Sequence, residues 1–174
     1  MSINSLIEEN IDENYNKLCF DSLPLGKLIF LSIITFGLYE VVWFYNLWKR
    51  IAVDLDVKIS PFWRAIFSGI SAFWLFPILN KYFTKINAIY SFKPVLFAII
   101  YLILNGFSRL PEPYEVICMF TLVIPVLIQS KINSINKQYF PVASVNTWNV
   151  ANTVWTVVSI LVITLVMIGS LISY

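Results

Sequence analysis

Five apolar stretches, separated by little polar sequence, dominate this chain of 174 residues. They cover residues 28–48, 62–79, 95–107, 116–128 and 150–172. A helix needs about 20 apolar residues to cross the roughly 30 Å hydrocarbon core of a bilayer, and several stretches approach or reach this length. The sequence therefore predicts an all-α fold, a polytopic helical membrane bundle with four or five spanning segments.

The composition excludes several classes of protein. Hydrophobic residues make up 59% of the chain and charged residues 13%, whereas a soluble domain has about 45–50% and about 25%. So few charged side chains cannot coat five apolar helices in water, which argues against a soluble core. The net charge of +2 is small, and the basic residues flank apolar runs as in membrane proteins, so we expect no nucleic-acid partner.

The chain divides into an acidic polar tail, residues 1–26, and a membrane domain, residues 27–174. The N-terminus has no basic region before a short apolar core, so we expect no cleavable signal peptide. Within the membrane domain we expect a first hairpin with an amphipathic exit over 27–93, a second over 94–147, and a C-terminal transmembrane helix over 148–174. The basic residues favour a cytoplasmic N-terminus, unless the second segment is re-entrant.

The two hairpins share an order of elements. Each has a proline followed by an aromatic residue, then a second proline, then a Lys-Ile-Asn string; these are Pro61, Pro77 and residues 85–89 in the first, and Pro113, Pro125 and residues 131–135 in the second. This order predicts a tandem duplication in one orientation, with chance as the alternative. Pro77 is expected to interrupt the second span and to be followed by an amphipathic helix over 78–90 in the headgroup plane.

Glu40 is the acidic residue deepest inside an apolar stretch. An ionised carboxylate in the bilayer costs about 2.5–3.5 kcal/mol on insertion scales, so it needs a partner or a proton. Arg64, a few residues into the next stretch, is the candidate partner. We therefore expect either an intramembrane ion pair of Glu40 and Arg64, which the sequence favours, or an ionisable site for protons, ions or a substrate.

Three amide side chains, those of Gln129, Asn133 and Asn136, follow the fourth stretch. Their spacing of i, i+4 and i+7 puts them on one face of a helix. Such a face could contact polar lipid headgroups or hydrogen-bond a neighbouring helix. Because the amides lie at the end of an apolar run, a solvated interfacial surface is the favoured interpretation.

The residues needed for catalysis or metal binding are largely missing. The chain has no histidine, and Cys19 and Cys118 lie far apart without a CxxC spacing, so neither a disulfide nor a metal site is indicated. No nucleophile, phosphate-loop or zinc-protease motif is present. We therefore predict no catalytic residue, no metal and no cofactor.

Several motifs resemble an uncharacterised family of small bacterial multi-pass membrane proteins, known as a domain of unknown function. In the first half they read LSIITFGLYE at 31–40, WFY at 43–45, WK at 48–49 and ISPFWRA at 59–65; a looser echo reads LPEPY at 110–114, INSIN at 132–136 and NTWN at 146–149. The resemblance implies a bacterial inner-membrane protein and assigns no catalytic residue.

Taken together, these features predict a non-enzymatic interaction or scaffold protein in the cell membrane. Its expected partners are membrane lipids, contacted at the two amphipathic exits, and helices of a second copy or of another membrane protein. The alternative is a small oligomeric transporter or channel in which Glu40 is the ionisable site. A lipid-modifying enzyme is disfavoured because histidine and a cluster of acidic residues are both missing.

Overall fold

The computed structural model of this chain describes residues 20–35, 37–107, 120–139 and 157. Regular structure in these ranges is helical, which confirms the predicted all-α class. The helices are α1 (Leu25–Ile34), α2 (Leu38–Asp54), α3 (Pro61–Ile66), α4 (Ser68–Ile86), α5 (Pro94–Gly106) and α6 (Val123–Tyr139), with a three-residue 3-10 helix at Ala88–Tyr90. The acidic tail up to residue 19, the turn over 108–119 and nearly all of the predicted C-terminal helix lie outside the described residues.

The first apolar stretch forms two helices instead of one. Gly37 has φ +85°, in the left-handed region that glycine adopts at little cost, and this turn separates α1 from α2. The hydroxyl of Thr35 accepts a hydrogen bond from the backbone N–H of Tyr39 at 2.8 Å, which satisfies a donor of the first turn of α2. The prediction of one continuous span over 28–48 is therefore wrong. The apolar pattern continues across the turn, and in the sequence Gly37 alone indicates a break.

The second stretch is also divided, but not at the predicted place. Pro61 opens α3, where a proline costs a helix least, as the sequence indicates. The chain then breaks at Phe67, and α4 continues through Pro77 to Ile86. The predicted interruption at Pro77 is therefore wrong, and most of the amphipathic segment over 78–90 is the second half of α4.

The later stretches agree better with the expected positions. The third, predicted over 95–107, forms α5. The fourth continues into α6, which includes Pro125 and the predicted amphipathic exit. Within the described ranges, none of the helices combines the length and the apolar character needed to cross a membrane.

An aromatic core forms where α2, α4 and α5 meet. Phe44, Phe76 and Tyr101 are all buried, with ring centroids 5.3 Å apart for Phe44 and Tyr101 and 6.0 Å apart for Phe44 and Phe76. Around this core α4 packs on α5, α2 packs on α3, and α1 packs on α6. The core fixes the side of α5 that faces α2, and so determines where the hydroxyl of Tyr101 is held.

Candidate functional site

A buried carboxyl lies in the first turn of α2. Glu40 is 5% exposed; its Oε2 accepts a hydrogen bond from the hydroxyl of Tyr101 at 3.1 Å, and its Oε1 accepts one from the hydroxyl of Thr121 at 3.3 Å. Tyr101 is on α5, and Thr121 lies just before α6. This carboxyl cluster of Glu40, Tyr101 and Thr121 therefore joins three parts of the chain that are distant in sequence.

The break at Gly37 changes the electrostatic setting of this carboxyl. In a continuous helix Glu40 would lie mid-helix, whereas in the structure it occupies the first turn of α2. Backbone N–H groups point outward at a helix N-terminus and favour negative charge nearby. The helix start and two hydroxyl donors thus offset part of the cost of burying a carboxyl group.

The predicted partner of Glu40 lies elsewhere. Arg64 places its guanidinium carbon 4.3 Å from the ring centre of Trp48, a cation–π contact between α3 and α2. Trp48 is two helical turns beyond Glu40, about 12 Å along the axis at 1.5 Å per residue. No salt bridge joins Glu40 and Arg64, both of which the structure describes; Arg50 and Asp54, one turn apart on α2, form a salt bridge at 2.9 Å. The structure therefore does not bring Glu40 and Arg64 together as an ion pair.

The three amides of α6 form a second polar site, the amide cluster, in which Gln129 and Asn136 are buried and Asn133 is half-buried. The amide of Asn133 bonds both backbone groups of Leu23, accepting from its N–H at 3.1 Å and donating to its carbonyl at 2.8 Å. Asn136 donates from its Nδ2 to the carbonyl of Phe20 at 2.7 Å and to the hydroxyl of Ser22 at 2.8 Å. These bonds hold residues 20–23 along α6.

Gln129 extends the amide cluster to α2. Its Oε1 accepts a hydrogen bond from the indole N–H of Trp43 at 2.8 Å, and its Nε2 donates to the carbonyl of Asp21 at 3.1 Å. Gln129 and Asn136 are only 2% and 3% exposed. The amides thus lie on one helix face, as the sequence predicts, but this face packs on residues 20–23 and Trp43 and is not the solvated surface that the sequence favoured.

Helix α2 connects the two clusters. Glu40 and Trp43 are three residues apart and therefore lie on the same side of the helix. Through Glu40 this side contacts α5, and through Trp43 it contacts α6. No sequence pattern indicates Tyr101, Thr121 or residues 20–23 as partners, because each lies within an apolar run or in the polar tail.

A small cavity lies at the amide cluster, and a groove lies apart from both clusters. A small cavity of about 30 Å³, enough for a single water molecule, is lined by residues including Phe20, Trp43, Arg50 and Gln129. A more open groove of about 360 Å³ lies against the second half of α4. In the described part of the chain, no group of three or more cysteine, aspartate or glutamate side chains is placed to hold a metal ion.

No protein-family model, no curated protein and no solved structure matches this chain. The resemblance to small bacterial multi-pass membrane proteins therefore stays a prediction.

Proposed function

We propose that this chain is a multi-pass protein of the bacterial inner membrane that acts by binding other membrane helices, its own or a partner's, and lipid. The observation that carries the proposal is an apolar belt of large side chains on the outside of four helices. It consists of Ile29, Phe30 and Ile33 on α1, Phe62, Trp63 and Ile66 on α3, Ile70 and Trp74 on α4, and Val95, Leu96, Ile99 and Ile103 on α5. An exposed apolar surface of this extent is typical of contact with lipid or with another protein.

The distribution of charge supports the same role. Helix α5 contains no charged residue, and α1 contains one, Lys27, in its first turn. Lysines and arginines lie instead at the ends of apolar segments, such as Lys49 and Arg50 on α2 and Lys81 and Lys85 on α4. Basic residues in these positions are suited to the two headgroup regions of a bilayer.

The polar side chains of the two clusters are engaged in holding the protein together. The carboxyl of Glu40 is bonded by two hydroxyls, and the amides of Gln129, Asn133 and Asn136 bond backbone groups and an indole N–H. A chain that uses the polar groups of both clusters for internal support and presents an apolar outer surface fits a binding role better than a catalytic one. The uncharged sequence at 150–172 is long enough to supply a spanning helix.

Membrane fractionation tests the location. Bacterial membranes that contain the full chain are washed with alkaline carbonate and then extracted with mild detergent. We expect the chain to stay with the membranes during the wash and to be released by detergent. Recovery of folded chain in the carbonate wash would contradict the proposal.

Site-specific cross-linking tests the interaction role. A photoreactive residue is placed at Ile99 in the apolar belt, with Leu75, which is fully buried, as the matched control. We expect adducts with a membrane protein or with a second copy from position 99 and none from position 75. If position 99 forms adducts with lipid alone, the binding of other helices through α5 is wrong.

A transporter or channel is the second candidate, because Glu40 is a buried carboxyl that no described lysine or arginine neutralises through a salt bridge. The variant Glu40→Gln separates the two roles. Loss of a proton- or ion-dependent flux in liposomes, at unchanged expression, would favour transport. Unchanged flux, or no flux in either protein, would favour the interaction role.

A further inference from the structure

We propose that Arg64 binds the phosphodiester group of a membrane phospholipid where α3 packs on α2, a proposal that rests on the membrane location proposed above. Arg64 lies on α3 and is half-buried. Its guanidinium lies over the ring of Trp48, which is fully buried on α2. A guanidinium keeps its positive charge in any protein environment, so the junction of the two helices holds a permanent cation that is still partly accessible.

Both side chains of this contact have hydrogen-bond donors that the protein does not satisfy. The Nη1 of Arg64 and the Nε1 of Trp48 are buried, and neither donates to an acceptor in the part of the chain that the structure describes. No aspartate or glutamate of the same ranges forms a salt bridge with Arg64. A buried donor without an acceptor is destabilising, and more so when it is charged. The junction therefore needs an acceptor with negative charge, which a bound oxyanion would supply.

The contact with Trp48 leaves Arg64 able to bind such an anion. A cation–π contact occupies one face of the planar guanidinium, whereas its five N–H groups point outward in the plane. Two of these N–H groups can bond two oxygens of one phosphate. Because the ring of Trp48 already holds the plane in one orientation, less conformational freedom is lost when the anion binds.

The surface around Arg64 indicates a lipid as the source of the phosphate. Phe62, Trp63 and Phe67 are 57%, 59% and 56% exposed, and the rings of Trp63 and Phe67 stack with centroids 6.4 Å apart. Helix α3 thus turns Arg64 towards α2 and presents three aromatic rings outward. A phospholipid has acyl chains that such rings can contact beside its phosphate, whereas inorganic phosphate has none. This combination is why we commit to a lipid.

The sequence position of the junction agrees with the depth of lipid phosphates. Trp48 is followed by Lys49 and Arg50 at the end of the first apolar stretch, and Arg64 lies near the start of the second. Aromatic and basic residues at the ends of apolar segments are typical of the membrane–water interface. With the membrane location proposed above, the guanidinium therefore lies in the region of the phosphodiester groups.

The test is lipid binding to the intact chain in mild detergent, measured by native mass spectrometry. The two probes are phosphatidylglycerol and a galactolipid that has the same acyl chains but no phosphate. We expect wild type to prefer phosphatidylglycerol. Arg64→Gln should bind phosphatidylglycerol about tenfold more weakly, because a charge-assisted hydrogen bond is lost, and should bind the galactolipid as wild type does.

Lys93→Gln is the matched control, because it removes the same charge at a distant place. Lys93 is exposed and directly precedes α5, next to Phe92, whose N–H bonds Asn80 near one end of α4. At the other end of α4, a Cβ built on Gly69 would lie 3.3 Å from Leu102. Helix α3 directly precedes the Gly69 end, so Lys93 lies at the far end of the helix pair. This variant should bind phosphatidylglycerol as wild type does.

A second substitution separates charge from geometry. Arg64→Lys keeps the positive charge but has no planar fork to stack on Trp48 and bond two oxygens. We expect it to bind phosphatidylglycerol more weakly than wild type and more tightly than Arg64→Gln.

Several results would overturn the proposal. They are equal binding of the two lipids by wild type, equal effects of Arg64→Gln and Lys93→Gln, and displacement of phosphatidylglycerol by an equal concentration of inorganic phosphate. Unchanged lipid binding by Arg64→Gln, together with loss of a co-purifying protein, would assign the guanidinium to a carboxylate of a partner and would also overturn it.

The membrane location is tested separately in the same variants. We expect Arg64→Gln to remain in carbonate-washed membranes, and phosphatidylglycerol to raise the unfolding midpoint of wild type more than that of the variant, whatever the midpoint of each without lipid. A chain that stays in the membrane without preferring phosphatidylglycerol refutes the phosphate site alone. A chain released by carbonate refutes the membrane proposal on which the site rests.

Discussion

The amide cluster on α6 and the carboxyl cluster on α2 satisfy the hydrogen bonds of their polar groups in different ways. An amide both donates and accepts, so Asn133 can bond the N–H and the carbonyl of one residue, Leu23, much as a neighbouring strand would. Among the residues that the structure describes, the carboxyl of Glu40 accepts from two side-chain hydroxyls, those of Tyr101 and Thr121. The amides therefore fix a segment of backbone, whereas the carboxyl fixes the relative position of elements that already have their own backbone bonds.

This difference predicts that Asn133→Ala has the largest effect on stability. The change removes three hydrogen bonds. Two join Asn133 to the N–H and the carbonyl of Leu23, and the third is donated by the Nε2 of Gln129. Each of these part-buried hydrogen bonds contributes about 1 kcal/mol, so we expect a loss of about 3 kcal/mol in the free energy of unfolding. The measurement is denaturant unfolding in mild detergent, followed by tryptophan fluorescence.

The matched control for this change is Ser134→Ala on the same helix. Ser134 is exposed, and its hydroxyl donates only within α6, to the carbonyl of Ser130. We expect a change of less than about 0.5 kcal/mol there. Equal effects of the two substitutions would mean that the amide does not hold residues 20–23.

The second-largest loss of stability is expected at Glu40, where alanine and glutamine substitutions should have different effects. Glu40→Ala removes the acceptor of two buried hydroxyls, so we expect a loss of about 2 kcal/mol. Glu40→Gln keeps an acceptor oxygen and nearly the same volume, and hydroxyls can also accept from its amide, so the loss should be less than about 1 kcal/mol. The same unfolding measurement applies. A larger loss for glutamine than for alanine would show that the carboxyl is stabilised by a charge interaction which the two hydroxyls do not explain.

The sequence predicted the positions of several helices but not the contacts between them. Pro61 marks the start of α3, and the third apolar stretch coincides with α5, because these features are local. The common face of Gln129, Asn133 and Asn136 also follows from helical spacing alone. Such features require only the period of the helix and the chemistry of proline.

The partners of the buried polar groups could not be predicted in this way. Tyr101 is 61 residues from Glu40, and Leu23 is 110 residues from Asn133. When a helix is apolar on all sides, as α5 is, its pattern does not indicate which side is buried. Tyr101 is buried while Leu102 is exposed, and only the packing of α5 on α4 and α2 decides this.

Trp43→Phe tests the link between the two clusters. The substitution removes the indole N–H that donates to Gln129 and leaves the buried Oε1 of Gln129 without that bond. We expect a loss of about 1.5 kcal/mol. In a double-mutant cycle with Gln129→Leu, most of this loss should disappear, since the acceptor is then absent as well. Additive losses would show that Trp43 contributes through packing and not through its bond to α6.

The smallest expected effect concerns the turn that places Glu40 at a helix start. Gly37 has φ +85°, and no atom lies within 4 Å of the position of an added Cβ, so Gly37→Ala meets no steric clash with neighbouring atoms and only the cost of a left-handed backbone. This cost is about 1 kcal/mol. Gly26→Ala is the control, because Gly26 lies within α1 and also has open space around its Cβ position. This substitution should leave the stability of the chain unchanged or raise it by up to about 1 kcal/mol. Opposite signs for the two glycines would support the break between α1 and α2. If Gly37→Ala instead stabilises the chain as Gly26→Ala does, α1 and α2 form one helix, and the carboxyl of Glu40 lies in the middle of a span without the support of a helix N-terminus.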